Sequence, residues 1–369
     1  MKNIHIFDTT LRDGQQSPWA GMSFDDNLHY ADLARKMGID IIEAWFPPAS
    51  QLEFDRVHAI AEMYAEHGSD APYVIGMCQS RDAQIPIAIQ SVQPVVKYGK
   101  ARMHIYIPID PELIKASLGG KDVKDFVPKI YEYCKMASDE WLSIEFSLEG
   151  YSRMGNNFDV GTDLICAAIE GGATVINCPD TIGGSHKRQG ENYYVAWMNK
   201  HQKIIETRYP EKDISRSAHC HNDLWIAVEN SLNAVIDGPA TQIECTINGV
   251  GERAGNASLE QIAMHVELYG KDQWVMTWIN LEYLQQASDF ISERMLPRQP
   301  HRPITWDNAA RHTAWGHTNA LLKNPTVYQP FDPKIVWKDG ISLVFWPSSG
   351  WNHAKHIIEK AWYVCWDDI

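Results

Sequence analysis

The chain has 369 residues, 44% of them hydrophobic and 22% charged, with a formal net charge of -14. Those fractions describe a folded globular protein and exclude disordered and collagen-like classes. The acidic balance argues against nucleic acid or an anionic membrane as a partner. No apolar run reaches the roughly 18 residues of a membrane span, and MKNIHIFDTT lacks a signal peptide's apolar core. Seven cysteines without a CxxC are expected as reduced thiols in the cytoplasm.

Short apolar runs rich in β-branched residues recur in chain order at Ile4–Phe7, Ile39–Trp45, Tyr73–Met77, Ala101–Ile107, Leu142–Phe146, Thr174–Asn177, Arg216–Cys220 and Ile243–Ile247. Amphipathic helical patterns lie between several of them, the rhythm of βα units. One helix is predicted over Phe24–Met37, with Leu28, Ala31, Leu33, Ala34 and Met37 on its apolar face, Ser23 as N-cap and Gly38 as C-cap. Another is predicted over Leu224–Ile236, followed by Gly238. Eight strands at this spacing predict an α/β fold, a closed (β/α)8 TIM barrel over residues 1–272, rather than an open doubly wound sheet. Beyond Lys271 the rhythm fails. A helical stretch, Leu281–Met295, and a proline-rich linker, Leu296–Pro303, lead into a tail dense in Trp, His and Pro. Residues 273–369 are therefore expected to form a linker and a smaller helical or irregular C-terminal subdomain.

In barrel enzymes function sits on the loops that follow the strands. Here those positions carry Arg12 and Asp13 after the first strand, Glu43 and Trp45 after the second, and His104 within the fourth. Ser147, Glu149 and Arg153 follow the fifth, Asp180 and Thr181 the sixth, and His219 and His221 end the seventh. The glycine-rich run Gly249–Gly255 and Asn256 follow the eighth. On a strand, residues i and i+2 face one side, so the HxH pair can converge on one ion. Asp13, delivered to the same mouth, is the candidate carboxylate of a facial ligand set; two histidines hydrogen-bonded at a strand end are the alternative. Arg12 is either a structural ion pair or a stabiliser of a developing oxyanion. The glycine-rich run does not fit the GxGxxG dinucleotide pattern.

The segments FDTTLRDGQQSP, IIEAWFPPAS, IEFSLEG, INCPDTIGG, AHCHNDL and INGVGERAGNASLE closely resemble the 2-isopropylmalate synthase group of metal-dependent barrel acyltransferases. That group includes homocitrate and citramalate synthases and, more distantly, 3-hydroxy-3-methylglutaryl-CoA lyase. The resemblance implies that Asp13, His219 and His221 ligate a divalent cation (Mg, Mn or Zn), with Asn256 near or on it. It implies that Arg12 stabilises the substrate oxygen, that Glu149 belongs to the catalytic apparatus, and that His104, Ser147 and Thr181 contact a 2-oxo acid. In the tail, His317 matches the group's candidate general base, with His312 its less favoured neighbour. The implied reaction is a Claisen-type condensation of acetyl-CoA, the co-substrate, with a 2-oxo acid to give a 2-substituted malate and CoA. A lyase running the reverse cleavage is the leading alternative, disfavoured because GVGERAGN lacks that lyase's loop cysteine. A non-catalytic metal-bound 2-oxo acid sensor and a facial-triad oxygenase are further alternatives. The resemblance also implies a homodimer, and no leucine-regulatory domain is expected.

The chain departs from the group's pattern at the substrate mouth. Trp45 and Trp225 stand where the group carries glycine, and Gln79 where an apolar residue commonly holds the acceptor's alkyl group. These three are expected to shape a pocket for an acceptor other than 2-oxoisovalerate, local repacking being the alternative. In the tail, Thr318-Asn319 and PSSGWNHA also depart from the pattern, which weakens the match at His317. Of the 14 tryptophans, Trp306, Trp315, Trp337, Trp346, Trp351, Trp362 and Trp366 crowd the tail, where a subdomain core or dimer contact is expected.

Overall fold

Eight parallel strands close into a barrel in chain order: β1 (His5–Asp8), β2 (Ile41–Glu43), β3 (Tyr73–Gln79), β4 (Ala101–Pro108), β5 (Ser143–Glu149), β6 (Val175–Asp180), β7 (Ser215–Cys220) and β8 (Gln242–Cys245). β1 pairs with β2 (Phe7 opposite Ile41) and with β8 (His5 opposite Gln242), so no edge is left open. The helices that follow the strands are α1 (Phe24–Met37), α2 (Gln51–Ala65), α3 (Ile85–Ser91), α4 (Gln93–Val96), α5 (Pro111–Ser117), α6 (Val127–Asp139), α7 (Phe158–Gly171), α8 (Tyr194–Arg208), α9 (Ala227–Ile236) and α10 (Leu259–Gln273). This is the TIM barrel expected from the spacing. The computed structural model describes residues 1–17, 20–295, 305, 311–312, 332–343 and 351–360.

Local chemistry accounts for the element ends. Ser23 Oγ accepts from the Asp26 N–H and the Asp26 carboxylate accepts from the Ser23 N–H, a reciprocal cap on α1. Gly38 closes the same helix at φ 82°, donating to the carbonyls of Ala34 and Arg35. The helix predicted from Leu224 begins only at Ala227, because Trp225 (φ 61°) and Ile226 are not helical. The stretch predicted over Leu281–Met295 opens with a 3-10 turn, Leu281–Tyr283, and continues as α11 (Leu284–Arg294).

Strand alternation divides the core. Ile6, Ile42 and Val74 join the large apolar layer between strands and helices, whereas their neighbours Phe7, Ile41 and Ile75 pack together inside the barrel. The rest of the interior is polar: Arg102 donates to Glu145 (3.1 Å) and Gln242 (2.9 Å), and Gln242 donates to Ser217 (2.9 Å). Two residues near the start, Lys2–Asn3, pair in parallel with Val275–Met276. The Lys2 amine donates to the carbonyls of Val235 (2.6 Å), Gly238 (3.1 Å) and Ala240 (3.4 Å). Among the described residues no helix is long and apolar enough to cross a membrane, and six cysteines are buried in no disulfide.

Candidate active site

The strands' C-terminal ends open into a cavity of about 410 Å³. Arg12, Asp13, Trp45, His104, Ser147, Glu149, Thr181, His219 and His221 all line it, nine side chains singled out from the sequence and brought together by six different strand ends. The donor atoms of Asp13, His219 and His221 lie within 4.8 Å of one another. Both histidine Nε2 atoms point at Asp13 Oδ2, at 3.6 Å and 3.7 Å, and lie 3.2 Å apart. Two imidazole nitrogens and a carboxylate oxygen in that array suit a divalent cation.

The surroundings hold Asp13 and His221 in ligand form, whereas Glu244 and Asp13 outweigh burial at His219 and raise its proton affinity, so a cation there would displace a proton. Burial alone would raise the Asp13 carboxyl, but Arg12, His221, His219 and the Glu252 N–H hold it well below the usual carboxylate range. Burial and the adjacent His219 push His221 down to about 4, so its ring is neutral at physiological pH. His219 Nδ1 lies 3.0 Å from Glu244 Oε2, which orients the ring and leaves Nε2 facing Asp13. Asn256 sits behind His221, joined to it by a backbone bridge. Its Nδ2 donates to the Val250 carbonyl (3.1 Å), while its buried Oδ1 has no partner in the protein. An unpartnered amide oxygen beside this triad fits a cation, since oxygen donors complete such sites. Gly251 makes the close approach possible: a Cβ there would lie 2.1 Å from Asn256 Nδ2 and 3.1 Å from Asp13 Oδ1.

A second array lies alongside. Arg12 Nε donates to Glu43 Oε2 (2.6 Å) and Nη1 to Asp13 Oδ2 (3.2 Å), so the guanidinium bridges two buried carboxylates. His104 Nδ1 meets Glu43 Oε1 (2.9 Å) and Nε2 meets Ser147 Oγ (2.7 Å). Burial favours neutral His104, but the Glu43 bond, with Glu145 and Glu244 behind it, lifts the imidazolium to about 9. A charged His104 donates through both nitrogens. Ser147 Oγ then accepts from His104 and from Asn177 Nδ2 (2.8 Å), and its own O–H remains to donate. Thr181 repeats the arrangement, accepting from the Gly150 N–H (2.9 Å). Glu149 also lines the cavity, its carboxyl raised by burial and by Glu252. His104, Glu145 and Glu244 are likewise close enough to hold a metal. However, His104 uses both nitrogens on Glu43 and Ser147, and Glu145 is held by Arg102 and Gln242, so the group reads as a charge network.

Two of the expected mouth residues lie elsewhere. Gln79 lines a neighbouring cavity of about 520 Å³, because Gln84 Nε2 donates to its Oε1 (3.2 Å) and draws it towards α3. Trp225 is 77% exposed on the loop before α9 and does not line the cavity. His317 lies outside the described residues; His312 forms a short parallel pair with Leu343, and its side chain is not described. Glu244, Glu252 and Asn177 also line the cavity, and Glu43 reaches it through Arg12 and His104; the sequence placed Glu43 on a functional loop but gave none of the four a role. Glu43 and Glu244 carried a signal: each is an acid on a barrel strand with the inward parity of its apolar neighbours.

Residues 3–291 match the HMGL-like family. The 2-isopropylmalate synthase of Acetivibrio thermocellus is 34% identical over 98% of this chain and 68% of its own length. That of Rhodopseudomonas palustris is 35% identical over 98% of this chain and 65% of its own length. The chain thus spans about two thirds of these relatives. Among solved structures, the Bacillus subtilis HMG-CoA lyase superposes with a TM-score of 0.64 at 18% identity, covering 82% of this chain and 97% of that one. The Acinetobacter baumannii HMG-CoA lyase, in complex with coenzyme A and 3-methylmalate, also gives 0.64, at 16% identity over 83% and 95%. These two share the barrel; their identity is too low to carry more.

Proposed function

Since this chain belongs to the HMGL-like family, whose members similar to it over nearly its full length are named 2-isopropylmalate synthase, we propose that it condenses acetyl-CoA with a 2-oxo acid and that water then cleaves the thioester, giving a 2-substituted malate and CoA. One observation carries the reading. Ser147 and Thr181 each accept a protein hydrogen bond and retain a free O–H, in the same cavity as the Asp13–His219–His221 triad. Two spare hydroxyl donors beside a cation site suit an α-oxo carboxylate. Asp13, His219 and His221, with Asn256 Oδ1 adjoining, would hold a divalent cation, which supplies Lewis-acid polarisation of the acceptor ketone when bound.

The chain's own groups do the rest. Ser147 and Thr181 orient the acceptor's carboxylate. The Arg12 guanidinium, fixed by Glu43, donates to the oxygen that becomes an alkoxide as the carbon–carbon bond forms. Glu149, whose raised proton affinity suits it to proton transfer, works at the acetyl end, with His317 as the base that takes the methyl proton. Trp45, Phe46, Met77 and Tyr106 form the apolar wall of the cavity and receive the acceptor's side chain. With an indole at position 45 that space is small, which favours an apolar acceptor shorter than 2-oxoisovalerate. A homodimer belongs to the same proposal and is checked by light scattering.

The test is a panel of 2-oxo acids with acetyl-CoA and Mg²⁺, Mn²⁺ or Zn²⁺, read by release of the CoA thiol. Metal-dependent release with short apolar acceptors is expected. Preference for 2-oxoisovalerate by the chain carrying Trp45 would overturn the acceptor assignment. Oxo-acid binding without thiol release would overturn the synthase reading.

A further inference from the structure

We propose that Trp45, Trp141, Trp225, Trp274 and Trp337 occupy positions this fold builds for glycine, and that the codon written as tryptophan there is translated as glycine in the cell that makes the protein. The codon UGA supplies the means: genetic codes read it variously as stop, tryptophan or glycine. The inference leaves the proposed reaction type as it stands and reverses the acceptor size argued from the Trp45 indole, which holds only for the chain carrying tryptophan there.

The backbone carries the argument. Among the described residues seven non-glycine positions have positive φ, and five are tryptophan: Trp45 (150°), Trp141 (63°), Trp225 (61°), Trp274 (59°) and Trp337 (60°). A residue type that fills 14 of 369 positions thus supplies most of a class that its bulk should bar it from. Asn248, a sixth member, is a type whose short polar side chain tolerates this region. The φ of Trp45 falls where essentially only glycine is comfortable.

The fold contains its own controls. After α1, Gly38 turns at φ 82° and donates to Ala34; after α7, Gly172 turns at φ 113° and donates to Ala168. After α10 the same turn is made by Trp274, which donates to Gly270. Trp141 makes it just past α6, donating to Ser138, with Leu142 donating back to Ala137. Trp337 closes the short Pro333–Val336 turn in the same way. Equivalent helix stops in one barrel therefore carry glycine in some units and tryptophan in others, with one backbone geometry.

Four of the five indoles bury little surface that would offset the strain. Trp141, Trp225, Trp274 and Trp337 are 84%, 77%, 72% and 67% exposed. They do not share one surface. Trp225 lies on the mouth-side loop after β7, whereas Trp141 and Trp274 lie at the opposite face, next to β5 and the Val275–Met276 pair. That distribution argues against an aromatic docking patch. Trp45 is the more buried one, donating to Asn27 Oδ1 at 3.2 Å beneath the Arg56 guanidinium. The consequence for function falls there: glycine at position 45 removes an indole from the cavity wall and makes room for a bulkier acceptor.

Two measurements decide it. Peptide mass spectrometry of the protein purified from its source organism should find glycine at all five positions, and the gene should read UGA at each; tryptophan in the peptides, or UGG in the gene, overturns the proposal. Separately, the recombinant chain carrying all five Trp→Gly substitutions should unfold roughly 10 °C higher than the chain with tryptophan. An equal or lower midpoint would refute the claim that these positions are built for glycine.

Discussion

The substitution Gly251→Ala probes the cation site through a residue that is not itself a ligand. The added methyl would sit 2.1 Å from Asn256 Nδ2 and 3.2 Å from its Cγ, so the amide must retreat by more than an ångström to restore ordinary contact. It cannot retreat as a body, because the Asn256 backbone is bridged to His221. Rotation is left, which breaks the Nδ2 bond to Val250 and displaces the unpartnered Oδ1 with it. Displacing such an outer partner weakens metal affinity by about 10–100-fold, or about 1.4–2.7 kcal/mol. Calorimetric titration of Mn²⁺ or Zn²⁺ into chelator-stripped protein measures it, with circular dichroism to establish that the variant is folded. Gly21→Ala is the control, since a Cβ there meets nothing within 4 Å. If folded Gly251→Ala binds the cation as tightly as the control, the close approach of this loop does not set the site.

Two other expectations follow from the second array. Ser147→Ala removes a spare donor and should raise KM for the 2-oxo acid by about 10-fold with a smaller change in kcat, as for one hydrogen bond to a charged group; an unchanged KM would detach Ser147 from the acceptor. His104 is raised from its ordinary 6.5 to about 9 on folding, so the stability it contributes is complete below pH 6.5 and is lost as pH climbs through 9. Unfolding midpoints measured across that interval should fall for the native chain and stay flatter for His104→Gln; parallel curves would show that His104 is not the group responsible.

The barrel was legible because each strand repeats one signal, a short β-branched run followed by polar residues, and eight repetitions leave few alternatives. The α1 boundaries were legible because Ser23 and Gly38 act locally, within one turn of the helix they bound. The start of α9 was not: Leu224 and Trp225 continue the apolar pattern, and only the backbone reveals that Trp225 turns left-handed. The convergence of His219 and His221 could be read because HxH parity is a property of a single strand. The Glu43–His104–Ser147–Asn177 chain could not, because it joins β2, β4, β5 and β6 through barrel register, which sequence does not print. Gln79 has the inward parity expected of it, but a local partner, Gln84, decides where its side chain goes.

The latch at the barrel floor bears on how the molecule is made. β1 must wait for β8, more than two hundred residues later, before its second neighbour exists, and Lys2 finds its carbonyl partners only once residues 235–240 are in place. The strand pair that seals the floor requires Val275 and Met276 as well. A nascent chain on the ribosome therefore carries an unclosed sheet through most of its synthesis, with the last step set by contacts of the longest sequence separation.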